Sequence, residues 1–129
     1  MIDHIVFYGT LMQGFGVQER MGVKESLEYM GPCEIPGTLY DLGAYPGLKE
    51  SRRFCRGELF RIIDHSVLTI LDDYEDYSTH SPGSSLYHRK SVTLTKPPVE
   101  AWVYYYTPQV PESRCIPHGD WRLHKKRNN

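Results

Sequence analysis

Residues 27–63 read LEYMGPCEIPGTLYDLGAYPGLKESRRFCRGELFRII, and the punctuation of this stretch decides the fold class. Leu27 to Asp41 is extended in character but is interrupted by Gly31, Pro32, Pro36 and Gly37, which predicts two strands with a turn between them. Leu42 to Gly47 is turn chemistry, because Pro46 and Gly47 together favour a tight reversal. Phe54 to Ile63 then reads as a long strand, with Gly57 marking either a bulge or a close backbone approach. On the N-terminal side, residues 4–8, HIVFY, form a short strand that ends at Gly9, followed by Gly14, Gly16 and a short helical segment from Val17 to Gly22. On the C-terminal side, Asp64 to Tyr74 predicts a helix with Asp64 as N-cap and Val67, Leu68, Leu71 and Tyr74 on one side. That helix must be short, since the acidic residues from Asp72 to Asp76 crowd the end where negative charge opposes the helix dipole. Ser78 to Ser85 is a Ser-, Pro- and Gly-rich loop that precedes two closing strands, Arg89 to Thr95 and Glu100 to Tyr106, with Pro97 and Pro98 forcing the connection between them. Six short strands with one clear helix and one weaker one predict an α+β domain whose sheet is curved or closed, closure being one way to remove exposed strand edges.

Composition narrows the function classes. The chain has 129 residues, 15 Lys plus Arg against 16 Asp plus Glu, and a formal net charge of −1, so it lacks the basic excess with which nucleic-acid binders neutralise phosphates. Its length suits one domain, 1–129, and residues from about 120 to 129, with Lys125, Lys126 and Arg127 followed by two asparagines, read as a frayed, flexible tail. Cys33, Cys55 and Cys115 leave one cysteine over from any pairing and supply no C-x-x-C ligand pair, so thiols in a reducing compartment are expected. The six histidines fall into no metal-ligand spacing, and no metal or cofactor is assigned. The N-terminal stretch Met1 to Phe7 carries Asp3 and His4 and is neither a leader nor a membrane span, which predicts a cytoplasmic protein. Ten of the sixteen aromatic residues are tyrosines, so rings that must be packed bring hydroxyls that must be paired.

Two segments could carry chemistry. Asp72, Asp73, Glu75 and Asp76 place four carboxylates in five residues. They read as a solvated helix end, as an aspartate-rich Mg²⁺ motif of the kind found in large all-helical enzymes, or as the seat of a general base. For the last, like charges and a helix C-terminus would both raise one carboxyl's pKa toward neutrality. Tyr8, Gly9, Thr10 and Leu11 follow the first strand directly. They read either as a turn that uses glycine for a positive φ or as a loop whose free N–H groups face an anionic or carbonyl oxygen. Gly14 and Gly16 complete neither a dinucleotide fingerprint nor a P-loop, and no G-x-S-x-G elbow supports a serine hydrolase.

An ordered set of segments resembles the γ-glutamylcyclotransferase family, which also includes the plant AIG2-like proteins and the butirosin-pathway BtrG type. These are FYGTLM at 7–12, GTLYDLGAYPGL at 37–48, RGELFRI at 56–62, LDDYEDY at 71–77, SLYHR at 85–89 and AWVYYY at 101–106. The resemblance implies a small closed mixed β-barrel with one or two helices at its flank. It also implies a lyase reaction, formerly classed with the acyltransferases, in which a γ-glutamyl compound releases its amine and closes to 5-oxoproline without metal or cofactor. It places the catalytic glutamate at Glu75, within an L-D-x-x-E-G pattern whose glycine is replaced here by Asp76. It assigns Tyr8, Gly9, Thr10 and Leu11 to the substrate's α-carboxylate and α-amino end, and Tyr45, Tyr87 and Tyr104 to the pocket wall. The expected partner is a small γ-glutamyl molecule, with the loop from Ser78 to Ser85 choosing among leaving amines. A non-catalytic module that keeps the fold and binds a metabolite or a protein is the alternative.

Overall fold

The computed structural model describes residues 1–78 and 85–127. Five strands form one mixed sheet: β1 His4–Phe7, β2 Leu27–Asp41, β3 Pro46–Ile62, β4 Tyr87–Thr93 and β5 Glu100–Tyr106. Their order is β2-β3-β1-β5-β4, with β1 antiparallel to β3 and parallel to β5. Among the described residues three α-helices accompany it: α1 Val17–Met21, α2 Val67–Tyr74 and α3 Trp121–Arg127. β1 is the central strand, and Ile5, Val6 and Phe7 lie at the heart of the core with Ile35, Leu39, Leu48, Leu59, Phe60 and Val103. That is the burial expected of a strand with neighbours on both sides.

The stretch from 27 to 63 departs from its sequence reading. In place of two strands and a turn, Leu27–Asp41 is one continuous strand paired with the 17-residue β3 along nearly its whole length. The glycines and prolines are absorbed in two ways. Register shifts fall between Tyr29 and Gly31 and between Pro36 and Thr38, and Gly31 and Gly37 take the positive φ angles of 128° and 145° there. β2 is also an edge strand, where the N–H that proline lacks has no second neighbour to bond. The Leu42–Gly47 turn is the tip of this hairpin, closed by Leu42 N–H donating to the Tyr45 carbonyl at 3.1 Å. Gly57 marks a close approach and not a bulge. It pairs in register with Cys33, and a Cβ on it would lie 2.5 Å from Ile35 Cδ1 and 2.6 Å from the Phe7 carbonyl oxygen.

The expected closed, six-stranded barrel is not formed: the sheet has five strands and stays open, with β2 and β4 at its two edges. One end of the β2 edge is met by irregular chain instead: Tyr40 bridges to Cys115, and Ile116 N–H donates to the Leu39 carbonyl at 2.8 Å, so that end is protected without closure.

The tail is a second correction. Trp121–Arg127 is helical, and Trp121 is 1% exposed. The segment before it is tied to β3, where Arg56 N–H donates to the Gly119 carbonyl at 2.7 Å. Further along, His124 Nε2 lies 2.8 Å from Asp41 Oδ2. Helix α2 starts at Val67, later than predicted, because Asp64 Oδ1 instead accepts from the Ser66 N–H and Oγ at 3.0 and 2.8 Å and shapes the turn leading in. Among the described residues no helix is long and apolar enough to cross a membrane. Most of the predicted Ser78 to Ser85 loop, residues 79–84, lies outside the described residues.

Candidate active site

Where β1 ends, the chain turns at once: Met12 N–H donates to the Gly9 carbonyl at 3.0 Å. The turn is held from two sides. Leu11's carbonyl accepts from the buried Gln18 Nε2 at 2.6 Å, and Gln13 N–H donates to Glu58 Oε1 at 2.8 Å. Arg122 of α3 adds Nη2 bonds to the Gln13 carbonyl at 2.9 Å and to Glu58 Oε2 at 3.1 Å. Gly9 is not needed for a positive φ. It is needed because a Cβ there would lie 2.6 Å from Pro46 Cγ, so the loop backbone packs directly on the hairpin tip. The N–H groups of Thr10 and Leu11 have no acceptor among the described residues. Free N–H groups held in a turn attract an anion.

Facing this loop is the end of α2. Tyr77 N–H donates to the Asp72 carbonyl at 2.8 Å and Asp76 N–H to the Asp73 carbonyl at 3.2 Å, the paired bonds of a Schellman turn. Asp76 occupies the left-handed position of that turn, with φ 54°, and Glu75 is the C-cap residue that the turn holds in place. The acidic run thus disperses in space. Asp72 pairs with Arg89, whose Nε and Nη2 donate to its two oxygens at 2.8 and 3.1 Å, while Asp73 and Asp76 are exposed and Glu75 turns inward. Among the described residues no three of His, Cys, Asp or Glu converge as a metal site would require.

Glu75 lines a cavity of about 260 Å³ together with Tyr8, Gly9, Thr10, Leu11, Tyr45, Tyr87 and Tyr104, so all eight residues singled out in the sequence meet there. Burial pushes the Glu75 carboxyl up to about 8. The direction agrees with the expectation for this acidic run, but the cause is desolvation and not repulsion by its neighbours. Burial likewise raises the Tyr8, Tyr87 and Tyr104 hydroxyls above their ordinary value. Each gives its hydrogen to a protein acceptor: Tyr8 to the Tyr104 carbonyl at 2.6 Å, Tyr87 to the Pro46 carbonyl at 3.0 Å, and Tyr104 to Asp72 Oδ1 at 2.7 Å.

The family described as Gamma-glutamyl cyclotransferase, AIG2-like matches residues 5–123. This chain belongs to that family. It is 33% identical over 123 residues to a Vibrio cholerae serotype O1 protein named as a candidate gamma-glutamylcyclotransferase, covering 93% of this chain and 96% of that protein. Among solved structures, a mouse AIG2-like protein superposes with a TM-score of 0.66 at 25% identity, over 86% of this chain and 81% of that one. An uncharacterized Pyrococcus horikoshii protein shares the fold with a TM-score of 0.73 at 16% identity, over 98% of this chain and 95% of that one.

Within the gamma-glutamyl cyclotransferase, AIG2-like family, the glycine expected after the glutamate falls on the left-handed position that Asp76 occupies here. Aspartate tolerates that conformation better than most residues, and glycine takes it without cost. Asp76→Gly is therefore expected to match the native stability or exceed it by up to ~1 kcal/mol, and Asp76→Val to lower it by ~1–2 kcal/mol. Urea denaturation checks both, and an indifferent valine would show that the turn does not hold Glu75. Sequence reading named Asp72 and Arg89 but missed their role, the ion pair that also takes the Tyr104 hydroxyl hydrogen. The Arg89 guanidinium also stacks on Trp102 at 4.4 Å. Two signals were available: Asp72 precedes Glu75 by three residues on one helix face, and Arg89 follows Tyr87 by two on one strand face.

Proposed function

We propose that this chain cyclises the γ-glutamyl group of a small substrate, releasing 5-oxoproline and a free amine, with Glu75 moving the proton. The observation that carries this reading is the Glu75 carboxyl, largely withdrawn from water, raised to about 8 and lining one cavity with Thr10 and Leu11, whose N–H groups have no acceptor among the described residues. The substrate's α-ammonium cannot attack until it loses a proton, and a carboxylate whose pKa is raised to about 8 accepts that proton far more readily than an ordinary carboxylate, which is the tuning general base catalysis favours. The freed amine attacks its own γ-carbonyl carbon, a C–N bond forms, and negative charge grows on the carbonyl oxygen. Glu75 then returns its proton to the leaving nitrogen as the old C–N bond breaks. Because nucleophile and electrophile belong to one molecule, holding that molecule folded supplies much of the rate. With the three phenols committed elsewhere, the N–H groups of the 9–11 loop are the donors that answer the substrate's negative oxygens. Cys33, Cys55 and Cys115 all carry free thiols, in keeping with a cytoplasmic setting.

The test is a panel of γ-glutamyl amino acids, γ-glutamylamines and γ-glutamyl-acyl compounds incubated with the purified chain in EDTA. Release of 5-oxoproline is followed by mass spectrometry. The expected result is 5-oxoproline from at least one class at an unchanged rate with or without chelator. Tight binding of a panel member with no product would favour a binding module on the same fold.

A further inference from the structure

We infer that Arg89 is a positioning residue for the proton step: by clamping Asp72 it cancels the negative charge beside Glu75 and holds in place the Tyr104 phenol that faces both carboxyls. The inference takes Glu75 as the proton carrier proposed above and names what sets the pH at which it works.

Charges around Glu75 are few. The described residues that line its cavity include no Lys, Arg or His, and the titratable groups facing it from other elements are phenols: Tyr8 after β1, Tyr45 on the hairpin tip, Tyr87 of β4 and Tyr104 of β5. Burial keeps Tyr8, Tyr87 and Tyr104 in their uncharged form. Its own helix end supplies three more carboxylates. Asp73 and Asp76 are exposed, where water and salt screen them. Asp72 is different, because its side chain is only 14% exposed. It also precedes Glu75 by three residues, a helical spacing that puts Cβ atoms roughly 5–6 Å apart.

A carboxylate so placed would oppose the ionisation of Glu75, yet burial alone accounts for the raised Glu75 carboxyl. The ion pair explains why. Arg89 Nε and Nη2 donate to the two Asp72 oxygens at 2.8 and 3.1 Å, a fork that sets one full charge against the other. Strand β4 delivers the guanidinium outside the cavity lining, and the Trp102 ring supports it at 4.4 Å. Tyr104 gives its hydroxyl hydrogen to Asp72 Oδ1 at 2.7 Å and has Asp72, Arg89 and Glu75 all as electrostatic neighbours. Glu75 therefore meets a closed dipole where the sequence alone would place a bare charge.

Each half of the pair should show its charge when the other is removed. Arg89→Met leaves Asp72 unpaired and is expected to raise the Glu75 pKa by about one pH unit. Asp72→Asn, whose amide oxygen can still accept from Tyr104, leaves Arg89 unpaired and is expected to lower it by about as much. The double variant should return close to the native value, and Arg89→Lys, which keeps the charge, should stay near it. Packing alone predicts another pattern, because a loosened wall admits water and lowers the Glu75 pKa in every variant.

The measurement is a pH titration of the glutamate side-chain carbon by NMR in ¹³C-labelled chain, with the Glu75 signal assigned by its loss in Glu75→Gln. Opposite shifts in the single variants that cancel in the double variant are the expected result. A fall in all variants, or no shift in either single variant, overturns the inference. Should Arg89→Met not fold, the other two decide: a fall in Asp72→Asn that the double variant abolishes is expected, and an equal fall in both overturns it. The alkaline-side rise of kcat/KM with pH should move with the NMR value. If the NMR shifts appear as expected and no γ-glutamyl compound yields 5-oxoproline, the proposed function fails while the charge cancellation stands.

Discussion

Glu75→Gln is expected to keep the fold and to lower kcat by two orders of magnitude or more, the usual scale of a lost general base. The amide is nearly isosteric with the carboxyl, so the Schellman turn and the cavity wall survive while the proton acceptor does not. In the native chain kcat/KM is expected to rise with pH through about 8, where Glu75 ionises in the free protein. The same group makes a stability prediction of definite sign. Its folded pKa, about 8, lies above the ordinary value of 4.5. Between those values the unfolded chain has released a proton that the folded chain retains, so the contribution of Glu75, fully present below pH 4.5, is lost as pH rises through 8. Glu75→Gln removes that dependence. Its melting temperature should stay close to the native one at pH 4 and exceed it at pH 9, since an ionised carboxylate is then no longer held in a desolvated site. A variant that turns over normally would sink the mechanism. One that melts below the native chain at pH 9 would show that the carboxylate is not strained by burial.

Trp121→Ala is expected to destabilise the fold by ~3–5 kcal/mol, the range for emptying a buried large aromatic site. A domain of this kind has roughly 5–15 kcal/mol in hand, so the loss is a large share of the whole. Trp121 is 1% exposed, and its Nε1–H finds no acceptor among the described residues. The indole therefore contributes through packing and against the cost of a buried unpaired donor. Trp121→Phe, which keeps most of the ring and removes that donor, should cost much less, about 1 kcal/mol or under. Urea denaturation separates the two, and an alanine variant within ~0.5 kcal/mol of native would mean that the segment behaves as a surface tail. Loosening α3 should also reach the cavity. Arg122, the next residue, holds both the Gln13 carbonyl and Glu58, and these anchor the loop carrying the Thr10 and Leu11 N–H groups, which have no acceptor among the described residues.

The parts that sequence reading placed well are those specified by neighbours along the chain. β1 ends at a glycine-marked turn because four apolar-centred residues are followed by Tyr8-Gly9, and α2 stops near Tyr74 because its last turn is loaded with acid. The parts it misplaced depend on distant partners. Gly31, Pro32, Pro36 and Gly37 look like breaks until β3 lies alongside and takes up two register shifts. Trp121 looks like the start of a basic tail, since WRLHKKR has too few apolar positions to declare a buried face.

The sequence by itself singled out eight of the residues that line the cavity, because the motif that carries Glu75 and the loop that carries Thr10 and Leu11 are each local and contiguous. Only the tertiary structure decided what those residues can do. The pKa of Glu75 follows from how much water is excluded around it, and a phenol's role follows from which carbonyl claims its hydrogen. Both are set by chain segments 30 to 100 residues away, such as Tyr104 against Tyr8 and Pro46 against Tyr87. The open sheet is likewise a tertiary outcome, with residues 115–116 and not another strand meeting the Leu39–Tyr40 end of β2.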